Sequence, residues 1–233
     1  MILLALLTPK TARLRVVITG LPRSGTSFLA CLVHHLGFDP GPAQQLKGAD
    51  ANNPYGYFEN RRMIRVENEI FERMGGNFMH LPPLENGWTN RVAKQKSKIL
   101  RIVSHGGLEM YKGNRAVVLA DLYHELFPDA KWLFIERPVE DTYRSRFGEA
   151  MTLSDWKSLC ECRMAVWKRS VPAEKALYVK YSDFNLDTAA AVQRVASHLG
   201  VTLDDARTRE LVELFRPREQ RSDTEMNETP RGS

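Results

Sequence analysis

One stretch near the N-terminus constrains the fold more than any other. Residues 15–19 (R-V-V-I-T) form a β-branched run that stops at Gly20. Gly20-Leu21-Pro22-Arg23-Ser24-Gly25-Thr26-Ser27 follows, and 27–36 then reads as a helix closed by Gly37. A buried strand, a glycine-bounded turn and a helix, in that order, form the unit from which parallel α/β sheets are built. Two glycines five positions apart let backbone N–H groups wrap an anion, and the helix N-terminus adds partial positive charge. The spacing fits G-x-x-x-x-G-K-[ST], but Thr26 stands where the lysine belongs. That lysine reaches the terminal phosphates of a nucleoside triphosphate, so its replacement argues against a kinase or NTPase. Arg23 offers a cation from inside the loop instead. The competing reading is a glycine-rich turn with no ligand.

Strand-like and helix-like segments alternate along the rest of the chain. Residues 38–59, rich in Gly, Pro and Asn, read as a long functional loop. Helical patterns follow at 61–74, 92–108, 122–127, 139–147, 155–169 and 188–199, and strand patterns at 131–136 (K-W-L-F-I-E) and 176–180. The alternation predicts an α/β fold: a parallel β-sheet flanked by helices on both faces, with a P-loop-type phosphate-binding loop after the first strand. The 233 residues fit one domain, with a core over about 14–215 and a C-terminal tail at 216–233. Ligands of such sheets bind beyond the carboxyl ends of the strands, which singles out Gly20, Arg137 and Tyr181.

The formal charge of +5 fits an anionic ligand and equally a basic surface. No interleaving of aromatic and basic residues and no zinc spacing points to nucleic acid. Cys31, Cys160 and Cys162 form no disulfide framework, which suits a reducing compartment. The apolar opening at 1–7 is too short to span a bilayer and lacks a signal peptide's flanks. The expectation is a cytoplasmic protein with no membrane partner.

Two motifs carry a resemblance. L-P-R-S-G-T-S is similar to the 5′-phosphosulfate loop, P-[KR]-[SAT]-G-[TS]-[TS], of the sulfotransferases that use 3′-phosphoadenosine 5′-phosphosulfate (PAPS). Arg137 followed eight positions later by Ser145 resembles that family's 3′-phosphate signature, with Pro138 one position nearer the arginine than usual. The resemblance covers about 15–215. It implies that Arg23, Ser24, Gly25, Thr26 and Ser27 hold the 5′-phosphate, and that Arg137 and Ser145 hold the 3′-phosphate. It places Phe28 and Tyr181 at the adenine, though both also read as ordinary packing residues. C-terminal arginines such as Arg216, Arg218 and Arg221 take the place of a basic string that the family usually writes differently. PAPS is then the co-substrate and adenosine 3′,5′-bisphosphate (PAP) the product. The acceptor is a small molecule or a glycan.

Sulfuryl transfer is an in-line displacement in which charge grows on the leaving oxygen. The sulfuryl group carries less charge than a phosphoryl group, and no motif here has metal-ligand spacing, so no metal is expected. Lys112, in Y-K-G-N-R, resembles the lysine of the K-D-P-R run of bacterial relatives, although 116–120 looks more strand-like than the residues before it. Glu59, in G-Y-F-E-N, is the candidate general base, or else an acid placed at a helix N-terminus. His80, in M-H-L-P, is its rival. Two other readings stay open at this stage: a small-molecule kinase with a variant loop, and a nucleotide-binding relative without activity.

Overall fold

The computed structural model describes residues 13–50, 53, 56–85, 87–145 and 151–215. The apolar opening and the tail with Arg216, Arg218 and Arg221 lie outside them. Four parallel strands form one sheet in the order β2-β1-β3-β4. They are β1 (Val16–Gly20), β2 (Met110–Lys112), β3 (Lys131–Glu136) and β4 (Ala176–Lys180). The register pairs Val17 with Tyr111 on one side and with Trp132 on the other, and Phe134 with Tyr178.

Each face carries its own apolar layer, as continuous hydrophobic strands require. On one face Val16, Ile18, Leu133 and Ile135 pack against α1 (Thr26–His35), α8 (Thr188–Leu199) and α9 (Asp205–Phe215). On the other, Val17, Trp132 and Phe134 pack against α2 (Arg61–Arg73), α3 (Ala93–Gly106), α4 (Ala120–Leu126) and α6 (Leu153–Ser170). Two short helices, α5 (Val139–Arg144) and α7 (Tyr181–Leu186), sit just beyond β3 and β4. Among the described residues no helix is long and apolar enough to cross a membrane.

The expected architecture is therefore present, with corrections. The strand next to β1 is Met110–Lys112, not 116–120. That apolar run turns instead, with Val118 and Leu119 both donating to the Arg115 carbonyl. It is buried because it threads the core between β2 and α4. The short helix starts at Ala120 rather than 122, and α7 and α9 were not anticipated.

Candidate active site

Chain order around β1 decides where a site can form. From β1 the chain crosses to β2 on one side, then returns over β1 to β3 on the other. A crevice opens where the direction reverses, at the carboxyl end of β1. The loop 20–27 fills that end, and the sheet edge reads Lys112, loop, Arg137, Tyr181 from β2 to β4.

The loop is held in an uncommon backbone path. Arg23 has φ 68° and Gly25 φ 101°. A side chain at Gly25 would place its Cβ 2.7 Å from the Tyr181 ring, so both conformation and space require glycine. The Arg23 guanidinium donates through Nε to the Ser145 carbonyl at 2.9 Å, tying the loop to the end of α5. Gly25 caps α1, whose first-turn N–H groups have no acceptor within the helix, and Thr26, Ser27 and Phe28 of that turn line the cleft. Thr26 donates to Asn114 Oδ1 at 3.1 Å. Ser24 departs from expectation. Its side chain is fully buried beneath the loop beside Gly20, its N–H is used by the Leu21 carbonyl, and it does not line the cleft.

Arg137, Phe28 and Tyr181 form the next group. The Arg137 guanidinium lies 5.2 Å from the centre of the Tyr181 ring. Phe28 meets Tyr181, Phe184 and Phe215 edge-on at 5.7, 4.8 and 5.3 Å. It is half-buried, so it belongs to the core and to the cleft wall at once. Ser145 lines the same cleft, with its hydroxyl donating to the Thr142 carbonyl.

On the β2 side, Gly113 N–H donates to the Ile18 carbonyl and Thr19 Oγ1 to the Gly113 carbonyl, extending the pairing just past Lys112. The Lys112 ammonium meets Glu59 Oε1 at 2.7 Å, with the side chains 2% and 13% exposed. Burial lowers the Lys112 pKa, Glu59 opposes that shift, and the charges of Lys47 and Arg115 add to it. Glu59 does not cap a helix: Asn60 does, its Oδ1 accepting from Arg62 and Met63 N–H. The cap fixes the start of α2, and the Lys47 N–H holds the Glu59 carbonyl at 2.9 Å. Glu59 is thereby aimed at Lys112.

One cleft of about 680 Å³ contains Arg23, Gly25, Thr26, Ser27, Phe28, Glu59, Lys112, Arg137, Ser145 and Tyr181. His80 is exposed and absent from its wall; Phe78, two positions earlier, lines it instead. Lys47, Asn114 and Arg115 also line it and were not anticipated. The signal for Asn114 and Arg115 lay in Lys112-Gly113-Asn114-Arg115, since a strand end that delivers one residue to a crevice delivers its successors too. Among the described residues no group of three His, Cys, Asp or Glu side chains is placed to hold a metal.

A model of the sulfotransferase family matches residues 15–205. No curated protein matches the chain. Similar solved structures include a sulfotransferase of Alicyclobacillus acidocaldarius, 14% identical with a TM-score of 0.48, which covers 87% of this chain and 91% of that one. Sulfotransferase STF1 of Mycobacterium tuberculosis is 17% identical with a TM-score of 0.48, covering 86% and 71%. Mouse sulfotransferase SULT7A1, complexed with PAP, is 14% identical with a TM-score of 0.49, covering 94% and 67%.

Proposed function

The chain belongs to the sulfotransferase family, and on that premise we propose that it transfers a sulfuryl group from PAPS to a hydroxyl or amine of a small-molecule or glycan acceptor. The observation that carries this reading is that one cleft joins the phosphate loop, the Arg137–Ser145 corner and the Lys112–Glu59 pair. The residues present suit the co-substrate. Open N–H donors at the start of α1, a glycine cradle at Gly25 and two guanidiniums separated along the sheet edge match a ligand with an anionic group at each end. When bound, PAPS supplies a sulfuryl group carried on a phosphate leaving group.

The chain's own residues divide the work. Arg23, the first-turn N–H groups and the hydroxyls of Thr26 and Ser27 hold the 5′ end. Arg137, with Ser145 beside it, holds the 3′-phosphate, and Phe28 and Tyr181 receive the adenine. Lys112 and Arg23 stabilise the charge that grows on the leaving oxygen, as fixed donors do in a dry site. Glu59 takes the acceptor proton. Lys112 occupies its Oε1, which orients the carboxylate and leaves the second oxygen for the acceptor.

Calorimetry tests the two-ended grip. PAP is expected to bind, and Arg137→Ala to weaken it by about 2–4 kcal/mol, the loss usual when a desolvated charge loses its partner. The same variant should change the binding of adenosine 5′-phosphate far less. Equal losses for the two ligands would overturn the placement of the 3′-phosphate. ATP with magnesium binding more tightly than PAP would overturn the donor itself.

A further inference from the structure

The donor does not account for every cation along the cleft. Arg23 and Arg137 answer its two ends, and Lys112 is paired with Glu59. Lys47 and Arg115 remain, both lining the cleft near Lys112, whose pKa they depress. Among the described residues, Arg115 makes one side-chain hydrogen bond, from Nε to Asn68 Oδ1 at 2.9 Å. Lys47 has no carboxylate partner among them; its ammonium lies 3.7 Å from the centre of the Tyr57 ring.

Behind Arg115 stands a third cation. Arg163 of α6 is 0% exposed. It donates from Nη2 to the Phe78 carbonyl at 2.5 Å, and its Nε and Nη1 have no hydrogen-bond partner among the described residues. Both guanidiniums lie against the Phe78 ring, Arg115 at 4.7 Å and Arg163 at 4.3 Å from its centre. Two like charges on one ring, one of them fully buried, cost stability unless an anion joins them. The acids in range do not fill that place. Glu59 is taken by Lys112, Asp50 accepts from the Tyr57 hydroxyl, and Glu67 accepts from the Tyr123 hydroxyl. Burial raises the Glu67 pKa to about 7, and the charge of Arg115 only partly opposes that shift.

We infer that the acceptor is anionic, and that its carboxylate, sulfate or phosphate group docks against Arg115 and Lys47 beside Phe78, on the β2 side of the Glu59–Lys112 pair. This rests on the proposed donor reading, because it assigns the cations that the donor leaves over. Arg163 acts from behind: it anchors the Phe78 backbone and adds its field, without touching the acceptor. An anionic group held at this point sets the acceptor hydroxyl or amine toward Glu59 and the loop, and a neutral analogue of the same shape loses that hold.

The test uses protein saturated with PAP, so that both phosphate subsites of the donor are filled, and follows the thermal midpoint as inorganic sulfate, phosphate or acetate is added. Sodium chloride at equal ionic strength is the reference. An anion at ten times its Kd in a chain of this size lifts the midpoint by about 3–6 °C. At least one of the three anions is expected to do so in the wild-type protein, and the three arms separate a tetrahedral anion from a carboxylate. The Arg115→Gln/Lys47→Gln double variant should lose more than half of the lift while binding PAP within about twofold of wild type, so that general salting effects cancel. If the double variant loses PAP as well, Lys47→Gln alone carries the comparison. An equal response in wild type and variant, or none in either, overturns the anionic acceptor. Failure of the wild type to bind PAP is a separate result, which removes the donor reading and this inference with it.

Discussion

Lys112 is 2% exposed, and Glu59 is its carboxylate partner among the described residues. Removing one member of such a pair strands the other in a poorly solvated place, typically at about 3–5 kcal/mol. Glu59→Gln therefore mixes a catalytic loss with a structural one, and a second change separates them. The single variant is expected to lower kcat by about 10²–10⁴, the range for a missing general base, and to lower stability as well. Adding Lys112→Met removes the stranded ammonium and should restore most of the stability without restoring turnover. Steady-state kinetics and urea unfolding on the same preparations check both halves. Turnover recovering in the double variant would reduce the pair to scaffolding. His80→Ala is the control; a large kcat loss there, with Glu59→Gln active, would transfer the base to a residue that the structure leaves exposed.

Glu67 joins three elements rather than acting at the cleft. From α2 it accepts the Tyr123 hydroxyl of α4 at 2.7 Å, close to Tyr111 of β2, and burial pushes its pKa up to about 7. The fold thus binds this proton more tightly than the unfolded chain, where a glutamate titrates near ~4.3. The stabilising contribution is complete below about pH 4 and is lost as pH rises through about 7, on the order of 4 kcal/mol in all. Glu67→Gln keeps the shape but cannot ionise, so its unfolding free energy should fall less than that of wild type between pH 5 and pH 8. Parallel pH profiles from urea melts would contradict this. Elements of this kind were also the least legible in the sequence. β3 and α8 match their expected ends because a continuous apolar run and a 3.6-period run stop at turn residues, and β4 matches because its short β-branched and aromatic run is itself legible. β2 has three residues, Met-Tyr-Lys, and exists because Met110 pairs with Val16 across the chain. α7 follows β4 with no linker, and no turn residue marks its start. Arg23, Thr26 and Arg137 were readable from motifs. Phe78 and Lys47 reach the cleft only through the packing of the loops that carry them, which no local pattern records.

At the scale of the whole molecule, the donor reading is a statement about how the sheet edge is filled. Parallel neighbours lie about 4.8 Å apart, so the step from the loop after β1 to Arg137 after β3 is short, and one nucleotide can touch both. Its phosphate groups would join the loop and α1 to the Arg137 corner. Its adenine would cover Tyr181, which opens α7, and Phe28, which packs on Tyr181 and Phe184 of α7 and on Phe215 of α9. A ligand that ties these elements together in the folded state alone stabilises the fold by mass action, by about 2.7 kcal/mol at a hundredfold excess over Kd. For a chain of this length each kcal/mol moves the melting midpoint by about 2–4 °C. PAP at a hundred times its Kd should therefore raise Tm by roughly 5–11 °C. Adenosine 5′-phosphate at the same concentration lacks the group for Arg137 and should give a clearly smaller rise. In Arg137→Ala the two nucleotides should become nearly equal, because the site can no longer distinguish them. Scanning calorimetry on both proteins decides it. A wild-type Tm that responds equally to the two nucleotides would mean that the 3′-phosphate is not held, and that the cleft grips only one end of its ligand.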